Sequence, residues 1–95
     1  MEAAKEWVSA DEEARRLAAL EKIVLAEITN QQDRELSHTV RTSLAIASPE
    51  YKLHITNMVA AKTKANATKA RYEAAKSLAE LRRSQESSRR AEMKL

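Results

Sequence analysis

The sequence predicts an all-α protein, a long two-helix antiparallel hairpin that forms a single domain over residues 1–95. Its 95 residues include no Gly and one Pro, so helix breakers are almost missing. Apolar residues recur every three or four positions, and no stretch alternates apolar and polar residues with the period of a strand. Hydrophobic residues make up 43% and charged residues 33%. The chain is therefore too charged for a membrane span and too apolar for a disordered tail.

Helix 1 is predicted over about residues 9–47. The start signal is a capping box, Ser9-Ala10-Asp11-Glu12, and three consecutive acids follow at residues 11–13. Residues 1–8, which carry Trp7, are predicted to form a short N-terminal extension, either a short helix or a frayed segment. A broad apolar stripe follows the capping box and contains Leu17, Leu20, Ile23, Val24, Leu25 and Ile28. After a polar interval at 29–35 the pattern resumes with Leu36, Val40 and Leu44.

A turn is predicted at residues 48–49, and helix 2 over about residues 49–92. Ser48, Pro49 and Glu50 fit an N-cap, a first helical position and an acid in the first turn. The residue before a proline also disfavours helical geometry, so helix 1 should end near Ala47.

Helix 2 carries two rows of mostly small residues with a seven-residue repeat. One row is Leu53, Ala60, Ala67, Ala74, Leu81, Ser88 and Leu95, and the other is Thr56, Thr63, Ala70, Ser77, Ser84 and Ala91. Such rows favour a close-packed coiled coil. The alternative is that alanine only favours helix and that some of the matches are accidental.

The chain is predicted to self-associate, most simply as a four-helix bundle of two hairpins or as a larger bundle. The apolar arc of helix 1 is broader than one partner helix can cover, and the alanine rows bury little area at about 25 cal/mol per Å². The residues predicted to mediate self-association are Leu17, Leu20, Val24, Leu25, Ile28, Ala60, Ala67, Ala74 and Leu81.

Charge is divided unevenly along the chain. Residues 1–50 carry six basic and ten acidic side chains, whereas residues 51–95 carry eleven basic and four acidic ones. Five basic residues of helix 2 recur every seven positions and define the basic stripe: Lys62, Lys69, Lys76, Arg83 and Arg90. The stripe could pair with the acids of helix 1, within or between chains, or it could follow a phosphate backbone. The sequence has no helix-turn-helix, finger or basic-zipper signature that would read bases.

The composition excludes many chemistries. Without glycine there can be no phosphate-cradling loop, dinucleotide fingerprint or nucleophile elbow. Without cysteine there can be no disulfide, thiolate zinc site or thiol nucleophile. No residues combine a nucleophile, a base and an oxyanion pocket, so we predict that the protein is not an enzyme and needs no cofactor.

Glu35 and His38 are the best metal-ligand candidates, because they have the i, i+3 spacing of di-iron bundles. That site also needs carboxylates from a facing helix. The predicted hairpin places His38 opposite Met58, where no acid occurs, and Glu27 or Asp33 could contribute only from another chain. We predict a solvated pair and no metal. His54, with no carboxylate nearby in sequence, is predicted to be exposed or to lie at the hairpin end.

Four other large side chains have two interpretations each. Tyr51 and Met58 could form a binding patch, and Tyr72 could stack on a base, but helix–helix packing is the favoured role for all three. Trp7 could pack back on helix 1 near residues 12–14 or dock on a partner chain.

The leading functional hypothesis is a non-enzymatic, self-associating interaction protein that presents helix surfaces to a macromolecular partner. The alternative is a nucleic-acid-binding accessory factor that uses the basic stripe. No apolar run approaches the length of a membrane span, and the first six residues lack the features of a signal peptide. We therefore expect a cytoplasmic protein with no membrane partner.

The last third of the chain carries a family resemblance. After an Ala- and Lys-rich stretch, residues 80–93 read ELRRSQESSRRAEM. This segment resembles the small all-helical accessory proteins of phage genomes, which often lie near DNA-recombination functions. The resemblance implies an accessory role in the host cytoplasm and assigns no site residue.

Overall fold

A computed structural model describes residues 2–93 as three helices, α1 (Glu2–Gln31), α2 (His38–Ala47) and α3 (Pro49–Met93). The predicted all-α class is confirmed, because this part of the chain is 92% helical and contains no strand. Met1 and Leu95, which the predictions included, lie outside the described residues.

Helix α1 begins earlier than the sequence predicts. It runs through Ser9 without a break, so residues 2–8 are its first two turns and not a separate extension. Ala3, Ala4, Lys5 and Glu6 all have high helix propensity, and they continue the helix on the N-terminal side of the capping-box sequence.

The predicted continuous helix over residues 9–47 is wrong, because the chain leaves the helix between Gln31 and His38. Asp33 organises the break. Its side-chain Oδ1 accepts from the backbone N–H of Glu35 at 3.0 Å, and its carbonyl accepts from that of Leu36 at 3.1 Å. Ser37 then caps α2, since its Oγ accepts from the backbone N–H of Val40 at 3.3 Å. The polar interval at 29–35 contains this turn.

Helix α3 begins at Pro49, the position at which the sequence predicts a helix start. Ser48 is extended, with φ −68° and ψ 149°, as expected before a proline. Its hydroxyl donates to the carbonyl of Ala45 at 2.6 Å and accepts from the N–H of Tyr51 at 3.2 Å. Ser48 therefore links the end of α2 to the start of α3.

The chain reverses direction at residues 32–37 and not at the predicted turn. Contacts pair Glu21 with Tyr51, Leu17 with His54, and Trp7 with Tyr72, so α1 and α3 run antiparallel. The molecule is a rod of 86 × 16 × 16 Å with a radius of gyration of 23.4 Å. A compact domain of this length has a radius of gyration near 12 Å.

The core is small and lies along the contact between the helices. The buried apolar residues are Ala10, Ile28, Ala45 and Ala65, and no large side chain in residues 2–93 is fully buried. The α3 residues that face this core are partly or fully buried: Tyr51, His54, Ile55, Met58, Ala61, Ala65, Thr68 and Tyr72. Beyond Tyr72, α3 extends past the start of α1, and every residue from 80 to 93 is exposed.

Candidate interaction surfaces

An aromatic contact joins the N-terminal part of α1 to the middle of α3. The rings of Trp7 and Tyr72 stack with centroids 5.4 Å apart and planes 20° apart, and Lys69 Nζ lies 5.9 Å from the centre of the Trp7 ring. The packing role predicted for Tyr72 is therefore the one found. Trp7 packs on α3, not on α1 near residues 12–14.

Replacing Tyr72 with leucine should destabilise the protein by about 1 kcal/mol and shift the emission of Trp7 to the red. The substitution keeps apolar volume but removes the stacked ring, and aromatic pairs contribute about 0.5–1.5 kcal/mol beyond burial. Trp7 is the single tryptophan, so its fluorescence reports this contact directly. Tyr51→Leu is the matched control and should leave the emission maximum in place; equal shifts in both variants would contradict the stacking.

Two polar contacts join α1 and α3 near the middle of the chain. The hydroxyl of Tyr51 donates to Glu21 Oε1 at 3.0 Å, and His54 Nε2 lies 2.9 Å from the carbonyl oxygen of Leu17. A carbonyl oxygen only accepts, so Nε2 carries the proton. Both side chains are partly buried. Tyr51 and His54 therefore act as packing residues, and they fix the relative position of the two helices.

The Tyr51–Glu21 contact should make stability depend on pH in the alkaline range. The hydrogen bond to Glu21, burial and the nearby carboxylate charge together raise the pKa of Tyr51 above its usual value of about 10. A raised folded-state pKa means that the stabilisation is present below pH 10 and is lost as pH rises through that pKa. Urea unfolding at pH 8 and pH 11 should show wild type losing its advantage over Tyr51→Phe; a constant difference would contradict this.

The basic stripe is exposed along its whole length, from Lys62 to Arg90. It does not pair with the acids of α1 in this chain: within residues 2–93 the salt bridges are Arg15–Asp11 at 2.8 Å and Arg16–Glu13 at 2.7 Å, both inside α1. The hydrogen bond from Arg16 lowers the pKa of Glu13, and Lys64 adds a smaller effect of the same sign. Lys69 lies over the Trp7 ring, and the other four stripe charges are left available to solvent or to a partner.

A second surface of α3 faces away from α1 and is here called the outer face. It consists of the two seven-residue rows of the sequence from residue 53 to residue 91, and every member is exposed. None of its twelve positions carries a charge. Leu53 and Leu81 on this face are 62% and 54% exposed, and Val59 and Leu78 at its edges are 62% and 48% exposed. The expected close packing of these rows does not occur within the chain.

The residues predicted to mediate self-association divide into two groups. In α1, Ile28 is buried, and Leu17, Leu20, Val24 and Leu25 are partly buried. In α3, Ala60, Ala67, Ala74 and Leu81 are all exposed on the outer face. The α3 group is therefore free to contact a partner chain, whereas the α1 group already packs against neighbours within the chain.

Exposed apolar side chains are also concentrated where the chain reverses, between residues 23 and 59. Besides Leu53 and Val59, they are Ile23, Leu36, Val40, Leu44 and Ile46, which are 36–53% exposed. The sequence did not single out Ile46, because it lies outside the predicted apolar stripe.

Glu35 and His38, the candidate metal ligands in the sequence, do not belong to a larger cluster of ligating side chains within residues 2–93. Glu35 and His38 are both exposed, and residues 2–93 contain no group of three or more His, Cys, Asp or Glu side chains that could hold a metal ion. No described helix is both long enough and apolar enough to cross a bilayer.

Comparison with known proteins adds no relative. The chain matches no protein-family model, and neither a curated protein nor a solved structure is significantly similar to it.

Proposed function

We propose that this protein is a non-enzymatic helical interaction protein that self-associates and presents helix surfaces to a macromolecular partner in the cytoplasm. The molecule is a rod, and α3 provides a long surface with several kinds of side chain. The polar residues at the contact between α1 and α3, Tyr51 and His54, have packing roles. The rod has the form of a spacer or an assembly element.

The accessible surface of the chain carries this proposal. A folded monomer of 10.7 kDa is expected to expose about 5,500 Å², whereas this chain exposes 7,705 Å². The excess, about 2,200 Å², lies in the range that each subunit of an obligate dimer buries. Eleven large apolar side chains are among the exposed residues, which explains why covering them is favourable.

Analytical ultracentrifugation over a wide concentration range tests the proposal. We expect a dimer or a higher oligomer, and we expect helicity and thermal stability to rise with concentration because assembly and folding are linked. A monomer of 10.7 kDa that melts cooperatively at every concentration would contradict self-association.

The second candidate function is nucleic-acid binding by an accessory factor of the phage type. The observation that favours it is that the basic stripe is exposed and has no ion pair to α1. Between Glu50 and Glu73 the sequence contains no acid, so every charged side chain in this part of α3 is basic. A straight basic rod can lie along a phosphate backbone without reading base sequence.

Binding of duplex DNA at several salt concentrations separates the two functions. If the stripe makes two to four phosphate contacts, log affinity should fall with log salt at a slope of about −2 to −4. The triple variant Lys62→Gln, Lys69→Gln and Lys76→Gln should reduce both affinity and slope while helicity is kept. No binding at about 50 mM salt would eliminate this candidate and leave the stripe to a protein partner.

A further inference from the structure

We infer that the outer face of α3 packs antiparallel against the same face of a second copy, which places two α3 helices at the centre of the dimer and one α1 on each side. This inference rests on the proposed self-association and specifies its surface, partner and orientation. It makes α3 a helix with two packing sides, one for α1 and one for the second chain.

The distribution of charge around α3 is the first argument. A helix that packs on one side normally places its charged residues on the opposite, solvent-facing side. On α3 the side opposite α1 is uncharged at twelve successive heptad positions, and the charges lie beside it, as in Lys64, Arg71 and Glu80. Uncharged core positions flanked by charged ones are the pattern of a helix–helix interface.

Apolar area is the second argument. The outer face and its edges expose Leu53, Val59, Leu78 and Leu81 by 48–62%, although each has an aliphatic side chain that gains from burial. Small residues between them, such as Ala67 and Ala74, would let two helices approach closely. A contact that runs the length of the face can use a large part of the chain's excess surface of about 2,200 Å², and a stable interface needs about 800 Å² from each partner.

The third argument sets the orientation. Residues 51–72 contain five basic side chains and no acid, whereas residues 73–93 contain five basic and four acidic ones. A parallel pair would place the two strongly positive halves side by side. An antiparallel pair places each strongly positive half beside the nearly neutral half of its partner, so repulsion is smaller. Full overlap of the outer faces puts the twofold axis near residue 72.

The basic stripe stays accessible in this arrangement. Its members lie between the face that packs on α1 and the outer face, and all of them are exposed. Binding of a second copy is therefore compatible with an acidic partner on the stripe.

Charge insertion tests the face. Ala74→Glu places a carboxylate on the outer face, and the matched control Ala19→Glu places one on an exposed position of α1. Sedimentation equilibrium should show that Ala74→Glu raises the dimer dissociation constant about tenfold or more, because a charge would be buried without a partner. Ala19→Glu should leave the dimer intact, and circular dichroism should show both variants helical. A dimer unaffected by Ala74→Glu overturns the face but leaves self-association standing; a monomeric wild type overturns both.

Single spin labels beside the outer face test the orientation without a substitution on that face. The chain has no cysteine, so Glu73→Cys and Asn57→Cys, at exposed positions next to the outer face, each provide one attachment site. At a rise of 1.5 Å per residue, an antiparallel dimer with its axis near residue 72 separates the Asn57 labels by roughly 45 Å and keeps the Glu73 labels within about 20 Å. A short distance at both sites indicates a parallel pair, and a long distance at both indicates another interface. Either result overturns the inference.

Discussion

Replacing Ala67 with proline should destabilise the protein by about 3 kcal/mol or more, the largest effect we expect from one substitution. α3 is continuous from Pro49 to Met93, so Ala67 lies inside a helix although its side chain is exposed. Proline removes the hydrogen bond from this position to Thr63, and its ring clashes with that carbonyl. The resulting kink would turn Tyr72 away from Trp7 and separate the N-terminal part of α1 from α3.

Chemical denaturation, read by circular dichroism and Trp7 fluorescence, measures this loss. Ala67→Ser is the matched control, since serine keeps the backbone hydrogen bond and costs only a few tenths of a kcal/mol in helix propensity. Pro49→Ala should also change stability little, because a proline at the first helical position gives up no hydrogen bond. If Ala67→Pro is as stable as Ala67→Ser, α3 is not continuous in solution.

The sequence was sufficient to predict helix type and the proline boundary, because both depend on local chemistry. Alanine, lysine and glutamate favour helix wherever they occur, and Ser48-Pro49 restricts the backbone whatever the rest of the chain does. The same local reasoning failed at residues 32–37. There Asp33 and Ser37 bond to nearby backbone N–H groups and compete with the helix, but their effect depends on whether the helices can pack after the chain reverses.

The direction in which each side of α3 points could not be derived from its repeats alone. The sequence contains one heptad pattern at Tyr51, Met58, Ala65 and Tyr72, and another on the outer face. Both are compatible with coiled-coil packing. The structure shows that the first pattern faces α1, because Tyr72 stacks on Trp7. The second pattern was the more regular one, which is why the sequence favoured it.

The interpretation in which the basic stripe pairs with the acids of helix 1 does not hold within the described chain, for a related reason. Net charge describes whole segments, whereas ion pairs form between particular side chains that face each other. In α1 the acids Asp11 and Glu13 bond to arginines one turn away, and Lys69 lies over an indole ring. Such exposed pairs add little stability, so the contact between α1 and α3 depends on apolar packing.

Ile28→Ala should therefore cost about 2–4 kcal/mol, the second of the two largest effects. Ile28 is only 6% exposed and is the largest buried apolar side chain in a core otherwise made of alanines. Truncation leaves a cavity that the neighbouring backbone of two stiff helices can fill only in part. Ile23→Ala is an exact chemical match in the same helix, at a position that is 53% exposed, and it should cost less than about 1 kcal/mol. Both variants gain the same helix propensity, so the difference between their urea unfolding free energies isolates burial. Equal losses would show that Ile28 is not the anchor of the contact between α1 and the returning chain.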